Sequence, residues 1–384
     1  MKLSTTLRFG IAILAAVIAA AAPIKASRIY GMTAGTTLSS APGVNLVYFD
    51  SATPGTVTTV GAFTGVVAGQ GLRTIDFKTG SSTLYALSTS TTVANTAAQL
   101  YTVNLTTAAL TPVGSNLQLT NIAGSVSVAM DYNPVTNALR VVGRGGQQWR
   151  INPTTGALIA ADTDTGFVVG DPQEGNFPDI LGCGHSNNII GAATTTIYCW
   201  DYGADALETL GSPGGAPSTA ESGDVFTVGG IGPPFFTFNA GADVDILGNS
   251  NFAYAVIDDG TAGTSMRLVS RDLSTAAVTV IGTLPQLVTD IAALPAPTAA
   301  GVSLTGRVFA NSDGKGLTDV IITATDESGH AYSAPSGARG RYTIEGLEGG
   351  RTYIIHVNSR RFHYEDRVIT LNDNLAGFDL YPSE

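Results

Sequence analysis

The sequence predicts an all-β chain in which a β-propeller is followed by a small β-sandwich. Three observations support this prediction. A strand–turn–strand sequence pattern, here called a phrase, occurs five times, and a second such phrase precedes four of its copies. After a Pro/Ala segment, the sequence pattern changes. Together the two phrases span roughly 40 to 50 residues, which is the length of one four-stranded propeller blade.

The first phrase is clearest at 100–114, where the chain reads LYTVNLTTAALTPVG. Its alternating apolar residues predict a half-buried strand. Asn104 then predicts a turn, because Asn and Asp side chains bond to backbone groups two residues further on. We interpret the phrase as a β-hairpin, with further copies at 46–61, 149–162, 197–211 and 267–282.

The second phrase reads TIDFKTGSSTLYALS at 74–88 and predicts another hairpin, with further copies at 129–143, 178–192 and 243–257. Two hairpins in series form a four-stranded meander. In the copy at 178–192, we expect a turn at Ser186, Asn187 and Asn188 and a second strand after it. That strand would separate the strand of Cys183 from the strand of Cys199.

The ends of the repeat region favour a closed ring. The chain begins with only three of the four strands of a blade, and LVTDIAALP at 287–295 supplies a matching fourth. Closure of this kind would remove a sheet edge that otherwise invites aggregation. Five blades are favoured. Because the stretch Ser212–Phe235 is long enough to hold further strands, six blades are the alternative.

We predict four segments: a signal peptide at 1–26, the propeller at 27–295, a Pro/Ala linker at 296–302 and the sandwich at 303–384. Lys2 and Arg8 precede the apolar run Phe9–Ala22, which is too short to span a bilayer comfortably. An uncleaved anchor is the alternative. The expected location is therefore outside the cytoplasm: extracellular, at the cell surface or periplasmic.

The charge balance limits the partners. The chain has a formal net charge of −11, and residues 27–302 hold 8 basic and 19 acidic side chains. Nucleic acids and anionic membranes are bound by clustered Lys and Arg, so neither is expected as a partner. No integral membrane span is expected once the signal peptide is removed. A protein or a glycan at the cell surface is the expected partner.

The amino-acid sequences of the repeats are distinctive enough to indicate a family. IYGMTAGTTL, YFDSATPGTVTTVG, TIDFKTGSSTLYAL and LYTVNLTTAALTPVG resemble the bacterial family DUF4394, a domain of unknown function, over about Arg28 to Leu294. This resemblance implies an exported, propeller-like domain. It implies no activity, since none is assigned to the family.

The C-terminal segment resembles a different family. The motifs that begin at Gly306, Gly316, Gly340 and Leu347 are similar to those of the carboxypeptidase regulatory-like domain, over about Val302 to Tyr381. The resemblance implies a transthyretin-like sandwich without peptidase chemistry. The segment holds about seven short apolar stretches, so we expect a seven-stranded sandwich.

Four aspartates in the predicted innermost strands are the main site candidates: Asp76, Asp131, Asp245 and Asp290. One interpretation is a carboxylate ring in the central channel, which binds a cation such as calcium or supplies the acid and base of a glycosidase. The other is that each carboxylate accepts backbone N–H groups of a neighbouring blade. Repetition in nearly every blade favours the structural interpretation. In the fourth blade, Leu181 takes the aligned position.

Cys183 and Cys199 are predicted to be separate, largely buried thiols. With one strand between them, their Cα atoms would lie about 10 Å apart. A disulfide needs a separation below about 7 Å.

No other pattern points to catalysis. The four histidines form no zinc-binding spacing, and the sequence contains no nucleophile elbow and no P-loop. We therefore predict no catalytic residue, no metal site and no cofactor, with calcium at the aspartates as the alternative. The leading functional hypothesis is an exported, non-catalytic binding or scaffold protein. The alternatives are a glycan-active enzyme that uses the channel carboxylates and a structural component of the envelope or matrix.

Overall fold

The computed structural model describes residues 27–33, 43–92, 96–119, 128–230, 243–258, 266–295, 302–310, 314–326, 331–347, 351–371 and 374–383. The predicted signal peptide and most of the predicted linker lie outside these residues. The helices among them are short 3-10 turns at Pro213–Gly215, Ala220–Ser222 and Ala338–Gly340. No helix in this part of the chain has the length and apolarity needed to cross a membrane.

The described residues up to 295 form five sheets, which we number in chain order and describe from the innermost strand outward. Sheet 1 contains β21 (Val288–Ala293), β1 (Arg28–Thr33), β2 (Asn45–Asp50) and β3 (Thr58–Ala62). Sheet 2 contains β4 (Gln70–Phe77), β5 (Leu84–Ser90), β6 (Ala97–Val103) and β7 (Leu110–Gln118). Sheet 3 contains β8 (Val128–Asn133), β9 (Ala138–Gly143), β10 (Gln148–Ile151) and β11 (Leu158–Asp162).

Sheet 4 contains β13 (Ile180–His185), β14 (Ile197–Asp201), β15 (Ala206–Leu210) and β16 (Asp224–Gly230), with β12 (Gly166–Phe167) added at its outer edge. Sheet 5 contains β17 (Asp243–Asp245), β18 (Phe252–Asp258), β19 (Met266–Asp272) and β20 (Val278–Leu284). The closing strand β21 pairs with β1, so the end of the repeat region completes the sheet begun at its start.

Five apolar cores lie between consecutive sheets and close the ring. One core joins sheets 1 and 2 around Met32 and Phe77, and the next joins sheets 2 and 3 around Leu100 and Trp149. Similar cores join sheets 3 and 4, sheets 4 and 5, and sheets 5 and 1. Every sheet thus buries both faces against its neighbours. This all-β arrangement of antiparallel sheets is consistent with a β-propeller.

The hairpin turns form as their sequences predict. The Oδ1 atom of Asn104 accepts hydrogen bonds from the N–H groups of Thr106 (2.9 Å) and Thr107 (3.0 Å). Asn152 and Asp272 do the same for the two residues that follow each of them at the same spacing. These side chains accept from turn N–H groups and so stabilise the turn locally, which explains why each copy of the phrase carries Asn or Asp.

Sheet 4 corrects the prediction for the two cysteines. The residues after Ser186 form a loop, and β13 pairs directly with β14 in a register that places Cys183 opposite Cys199. Their Cα atoms lie 4.1 Å apart and the sulfur atoms form a disulfide. The prediction of separate thiols was wrong because it inserted a strand that does not form. The stretch after Ser212 supplies β16, the fourth strand of the same sheet.

Residues from Val302 onward have their own apolar core, which includes Leu304, Ile322, Tyr353 and Ile355. One sheet pairs β22 (Val302–Arg307) with β25 (Arg341–Leu347), and the other contains β24 (Ala331–Pro335), β23 (Ile321–Asp326), β26 (Arg351–Asn358) and β27 (Arg367–Leu371). The described residues thus form six strands, whereas the sequence predicted seven. The segment expected as the seventh strand, residues 376–382, makes an isolated bridge from Leu380 to Val308, the residue after β22, and Leu375 just before it bridges to Leu304 of β22.

Candidate functional site

Three of the four predicted aspartates meet on the axis of the ring. Asp76 on β4, Asp131 on β8 and Asp245 on β17 each have a carboxylate oxygen within 4.8 Å of the others. Their exposed fractions are only 3%, 2% and 3%. We call these residues the axial triad. Each comes from the innermost strand of a different sheet, which is why the sequence separates them widely and the ring brings them together.

Each member of the triad also accepts a backbone hydrogen bond from the next sheet around the ring. Asp76 accepts one from the N–H group of Tyr132 in sheet 3 (2.7 Å). Asp131 accepts one from the N–H group of His185 in sheet 4 (2.9 Å) and contacts the Nδ1 atom of the same histidine. Asp245 accepts one from the N–H group of Ala293 in sheet 1. These bonds are the ones that the structural interpretation expects.

Asp290 lies in a second layer rather than in the triad. It accepts a hydrogen bond from the N–H group of Ile75 (2.8 Å), and Asp243 accepts one from the N–H group of Ile291 (2.9 Å). Asp245 accepts from the N–H group of Ala293, which lies two residues after Ile291. The prediction that gave Asp290 the matching place in the closing strand was therefore wrong by two residues. Asp243 was not predicted as an acceptor of this kind. Asp243 lies two residues before Asp245 on the same strand, so both side chains point to one face of the strand. This spacing was the sequence signal that could have identified Asp243.

Sheet 4 has no aspartate at the triad position. Tyr132, whose N–H group donates to Asp76, directly follows the triad member Asp131. His185, whose N–H group donates to Asp131, directly follows Gly184 in the same way. Gly184 rather than Leu181 therefore takes the triad position in sheet 4. A Cβ atom on Gly184 would lie 3.1 Å from the carbonyl oxygen of Val244, and one on Gly182 would lie 2.5 Å from the Cα atom of Asp243. Sheets 4 and 5 therefore meet through close backbone contact instead of a carboxylate.

This contact leads to a first testable expectation. We expect Gly182→Ala to lower the free energy of unfolding by about 2 kcal/mol or more, because the added Cβ forces two innermost strands apart. Gly230→Ala is the matched control, since its Cβ would have 3.9 Å of clearance, and it should change stability by no more than about 0.5 kcal/mol. Urea unfolding of both variants measures the difference. Equal stability of the two would contradict the close contact.

A buried asparagine links three sheets next to the triad. The side-chain oxygen of Asn188 accepts a hydrogen bond from the hydroxyl of Thr79, which follows β4. Its backbone N–H donates to Gly248 (2.9 Å) and its Nδ2 group donates to Ile246 (3.3 Å), both of which follow β17. Asn188 thus joins the turns after the innermost strands of sheets 2, 4 and 5. Sequence reasoning missed it, because a single asparagine in a loop carries no pattern.

Burial raises the pKa of the axial carboxyl groups. The pKa values of Asp76, Asp243 and Asp290 lie well above the usual range of an aspartate, with burial as the largest cause. Burial and the neighbouring charge of Asp131 raise the pKa of Asp245 to about 7. Several carboxylates that share one dry space cannot all be charged cheaply. Asp76 and Asp245 therefore keep their protons to a higher pH than exposed aspartates do, and a bound cation would favour their charged forms.

The raised pKa of Asp245 produces a pH dependence with a definite sign. An unfolded chain releases this proton near pH 3.9, but the folded protein keeps it to about pH 7. Stability from this group is therefore complete below about pH 4 and is lost as the pH rises through 7. In EDTA, the free energy of unfolding should fall by about 2 kcal/mol more between pH 5 and pH 7.5 in the wild type than in Asp245→Asn. Parallel curves for the two proteins would contradict this expectation.

Glu208 and Arg271 are buried ionisable residues that lie away from the triad and were not predicted. Burial, with Asp201 and Asp171 nearby, raises the pKa of Glu208 on β15 to about 9. Burial lowers the pKa of Arg271 on β19 to about 9, and its guanidinium lies 4.2 Å from the ring centre of Trp200. Neither residue stands out in the sequence, because an isolated charge within a strand phrase does not reveal which face it occupies.

The geometry of the triad suits a small ion better than a sugar. Retaining glycosidases hold two carboxyl groups about 5–5.5 Å apart and inverting ones about 6.5–9.5 Å apart, on either side of a sugar ring. Here three carboxylate oxygens lie within 4.8 Å of one another and the side chains are almost fully buried. Oxygens at this spacing can share a Ca²⁺ ion, whose ligands lie about 2.3–2.6 Å from the metal.

Comparisons with solved structures show remote similarities. The chain is similar to TolB from Acinetobacter baumannii (11% identity, TM-score 0.30), covering 84% of this chain and 64% of that one, which is less than two thirds of its length. It is similar to an exo-beta-1,3-galactanase from Phanerochaete chrysosporium (10% identity, TM-score 0.44; 89% and 92% covered). It is also similar to a putative 6-phosphogluconolactonase from Bacteroides uniformis (14% identity, TM-score 0.34; 91% and 98% covered).

Comparisons of sequence are more decisive about the family. No curated protein matches the chain. The model of the family described as domain of unknown function DUF4394 matches residues 45–292, which is more than half of the chain and includes sheets 2 to 5 and part of sheet 1. No such match supports the resemblance of the C-terminal segment to carboxypeptidase regulatory-like domains. The chain therefore belongs to the DUF4394 family.

Proposed function

We propose that this chain is an exported, non-catalytic binding or scaffold protein built on a five-bladed propeller. The observation that carries the proposal is the use of the axial aspartates. Each of the five accepts a backbone N–H from the next sheet, so the carboxylates that an enzyme would need are engaged in holding the ring. A rigid ring of this kind presents its loops to a protein or a glycan at the cell surface.

The disulfide supports the proposed location. Disulfides persist in oxidising compartments such as the periplasm and the extracellular space. We further propose that residues 1–26 are the signal peptide that delivers the chain there. The segment from Val302 onward would then serve as an accessory module of the carboxypeptidase regulatory-like type, without chemistry of its own.

A second candidate function is a cation site at the triad. It is favoured by the three carboxylate oxygens within 4.8 Å of one another, contributed by sheets 2, 3 and 5. A bound Ca²⁺ would neutralise their charge and tie these sheets together. It would act in the same structural sense as the hydrogen bonds, so it adds to the scaffold proposal rather than replacing it.

Thermal unfolding of the wild type, Asp76→Asn and Asp245→Asn tests both candidates, with Ca²⁺ or a glycan panel added and glycan hydrolysis assayed in parallel. We expect both variants to stay folded, because their amide oxygens can still accept the backbone N–H groups of Tyr132 and Ala293, and we expect no glycan to be hydrolysed. A rise in melting temperature with Ca²⁺ that is lost in both variants, and kept in Asp272→Asn, would support the cation site. Wild-type hydrolysis that disappears in both variants, at unchanged stability, would overturn the non-catalytic proposal.

A further inference from the structure

A cavity of about 450 Å³ opens among the turns that follow the innermost strands of sheets 2, 3 and 4. Its volume lies within the range of small-molecule binding sites in proteins. Three short segments form its walls: Lys78–Ser81, the turn with Pro134, Val135 and Asn137, and Ile190–Ala192.

Hydrogen bonds within and between the wall segments fix the shape of the cavity. The hydroxyl of Thr79 donates to the side chain of Asn188, which ties the first wall to the loop that carries the third. The second wall is an Asn turn, in which Asn133 accepts from the N–H groups of Val135 (2.9 Å) and Thr136 (3.0 Å). A site that is already ordered loses less conformational entropy when a ligand binds.

Lys78 and Asn137 provide polar groups for a ligand. Lys78 is exposed and is the only lysine among residues 27–302, a segment with an excess of acidic side chains. Among the residues that the structure describes, no carboxylate forms an ion pair with it. The Oδ1 atom of Asn137 accepts from the hydroxyl of Tyr132 (3.2 Å), which leaves its NH₂ group as a donor. An ammonium and an amide donor suit an anionic oxygen.

The rest of the cavity wall is apolar and accessible. Ile190 is 66% exposed and Val135 is 37% exposed, and Pro134 lines the cavity beside Val135. Contact with a ligand would remove this apolar surface from water, which is favourable by about 25 cal/mol per Å². A cation next to a large apolar side chain selects a ligand that has both an anionic group and an apolar body.

We propose that this cavity binds a small organic anion, whose charged group contacts Lys78 and Asn137 and whose apolar body covers Val135 and Ile190. The inference rests on the proposed binding function and deepens it by naming the place and the chemical class of the ligand. The ligand is an organic acid of modest size, since the cavity has room for a molecule of one or two rings.

Lysine NMR tests the proposal directly, with 2-naphthoate as the probe. The chain holds four lysines, at positions 2, 25, 78 and 315. Reductive methylation with ¹³C-formaldehyde keeps their positive charge and labels each with a separate signal, assigned through single Lys→Gln variants. We expect 2-naphthoate to shift the Lys78 signal with a saturable dependence and a Kd of about 1 mM or tighter, while the Lys315 signal stays in place.

Two comparisons separate charge from apolar contact. The neutral analogue 2-naphthamide should bind about fivefold more weakly, which is the effect of one exposed ion pair. Ile190→Ser should weaken 2-naphthoate about tenfold through lost apolar contact. Ile354→Ser, at an isoleucine of β26 with 47% exposure, is the matched control and should leave the affinity unchanged.

A Lys78 signal that does not saturate, that moves together with Lys315, or that responds equally in Ile190→Ser would overturn the proposal. These results are independent of the axial aspartates. If the Lys78 signal does not respond to 2-naphthoate, this cavity is not the binding site, but the proposal of a non-catalytic propeller is unaffected. Glycan hydrolysis that depends on Asp76 and Asp245 would overturn the proposed function and leave the Lys78 result as measured.

Discussion

Replacing Asp131 with alanine is expected to lower the free energy of unfolding by about 4 kcal/mol. The substitution leaves the buried N–H group of His185 without its acceptor and removes the contact to the Nδ1 atom of the same ring. Each buried polar group that loses its partner costs about 1–3 kcal/mol. Asp131 is 2% exposed and His185 is 1% exposed, so water cannot take the place of the carboxylate without opening the ring.

Chemical denaturation followed by tryptophan fluorescence measures this loss, since Trp149 and Trp200 lie in the cores on either side of sheets 3 and 4. Asp131→Asn should recover part of the loss, because its amide oxygen can still accept the His185 N–H. Asp272→Ala is the matched control, as Asp272 serves an exposed turn and its removal should cost about 1 kcal/mol or less. If Asp131→Ala were as stable as Asp272→Ala, the axial hydrogen bonds would not be holding the ring.

Reduction of the disulfide is expected to cost about 3 kcal/mol of stability. Cys183 and Cys199 are 16 residues apart, and the entropy that a cross-link removes from an unfolded loop of this length corresponds to about that value. The bond joins the two innermost strands of sheet 4, the sheet that lacks an axial aspartate. Its loss should therefore weaken the side of the ring where no axial carboxylate compensates.

The measurement is urea unfolding with and without a phosphine reductant, accompanied by a thiol assay on the unfolded chain. The Cys183→Ala/Cys199→Ala variant should show the reduced stability in both conditions and no response to the reductant. Two reactive thiols in the untreated, unfolded wild type would show that the disulfide does not form. Unchanged stability on complete reduction would show that the bond forms without constraining the fold.

Most strand phrases, their turns and the order of the sheets could be predicted from the sequence, whereas the second strand expected at 178–192 does not form. Local chemistry decides these features: alternating apolar residues select half-buried strands, and Asn104 or Asp272 satisfies N–H groups within a few residues of itself. The closing strand was also predictable, because its apolar pattern completes an incomplete blade. These properties need no knowledge of distant partners.

Which residues meet at the axis depends on tertiary contacts that the sequence pattern does not contain. Asp290 and Asp245 look equivalent along the chain, but the hydrogen bonds of Ile75 and Ala293 place them in different layers. Cys183 and Cys199 form a disulfide because the intervening residues fold into a loop instead of a strand. Strand register and ring closure depend on contacts between residues far apart in sequence, and periodicity carries no information about such contacts.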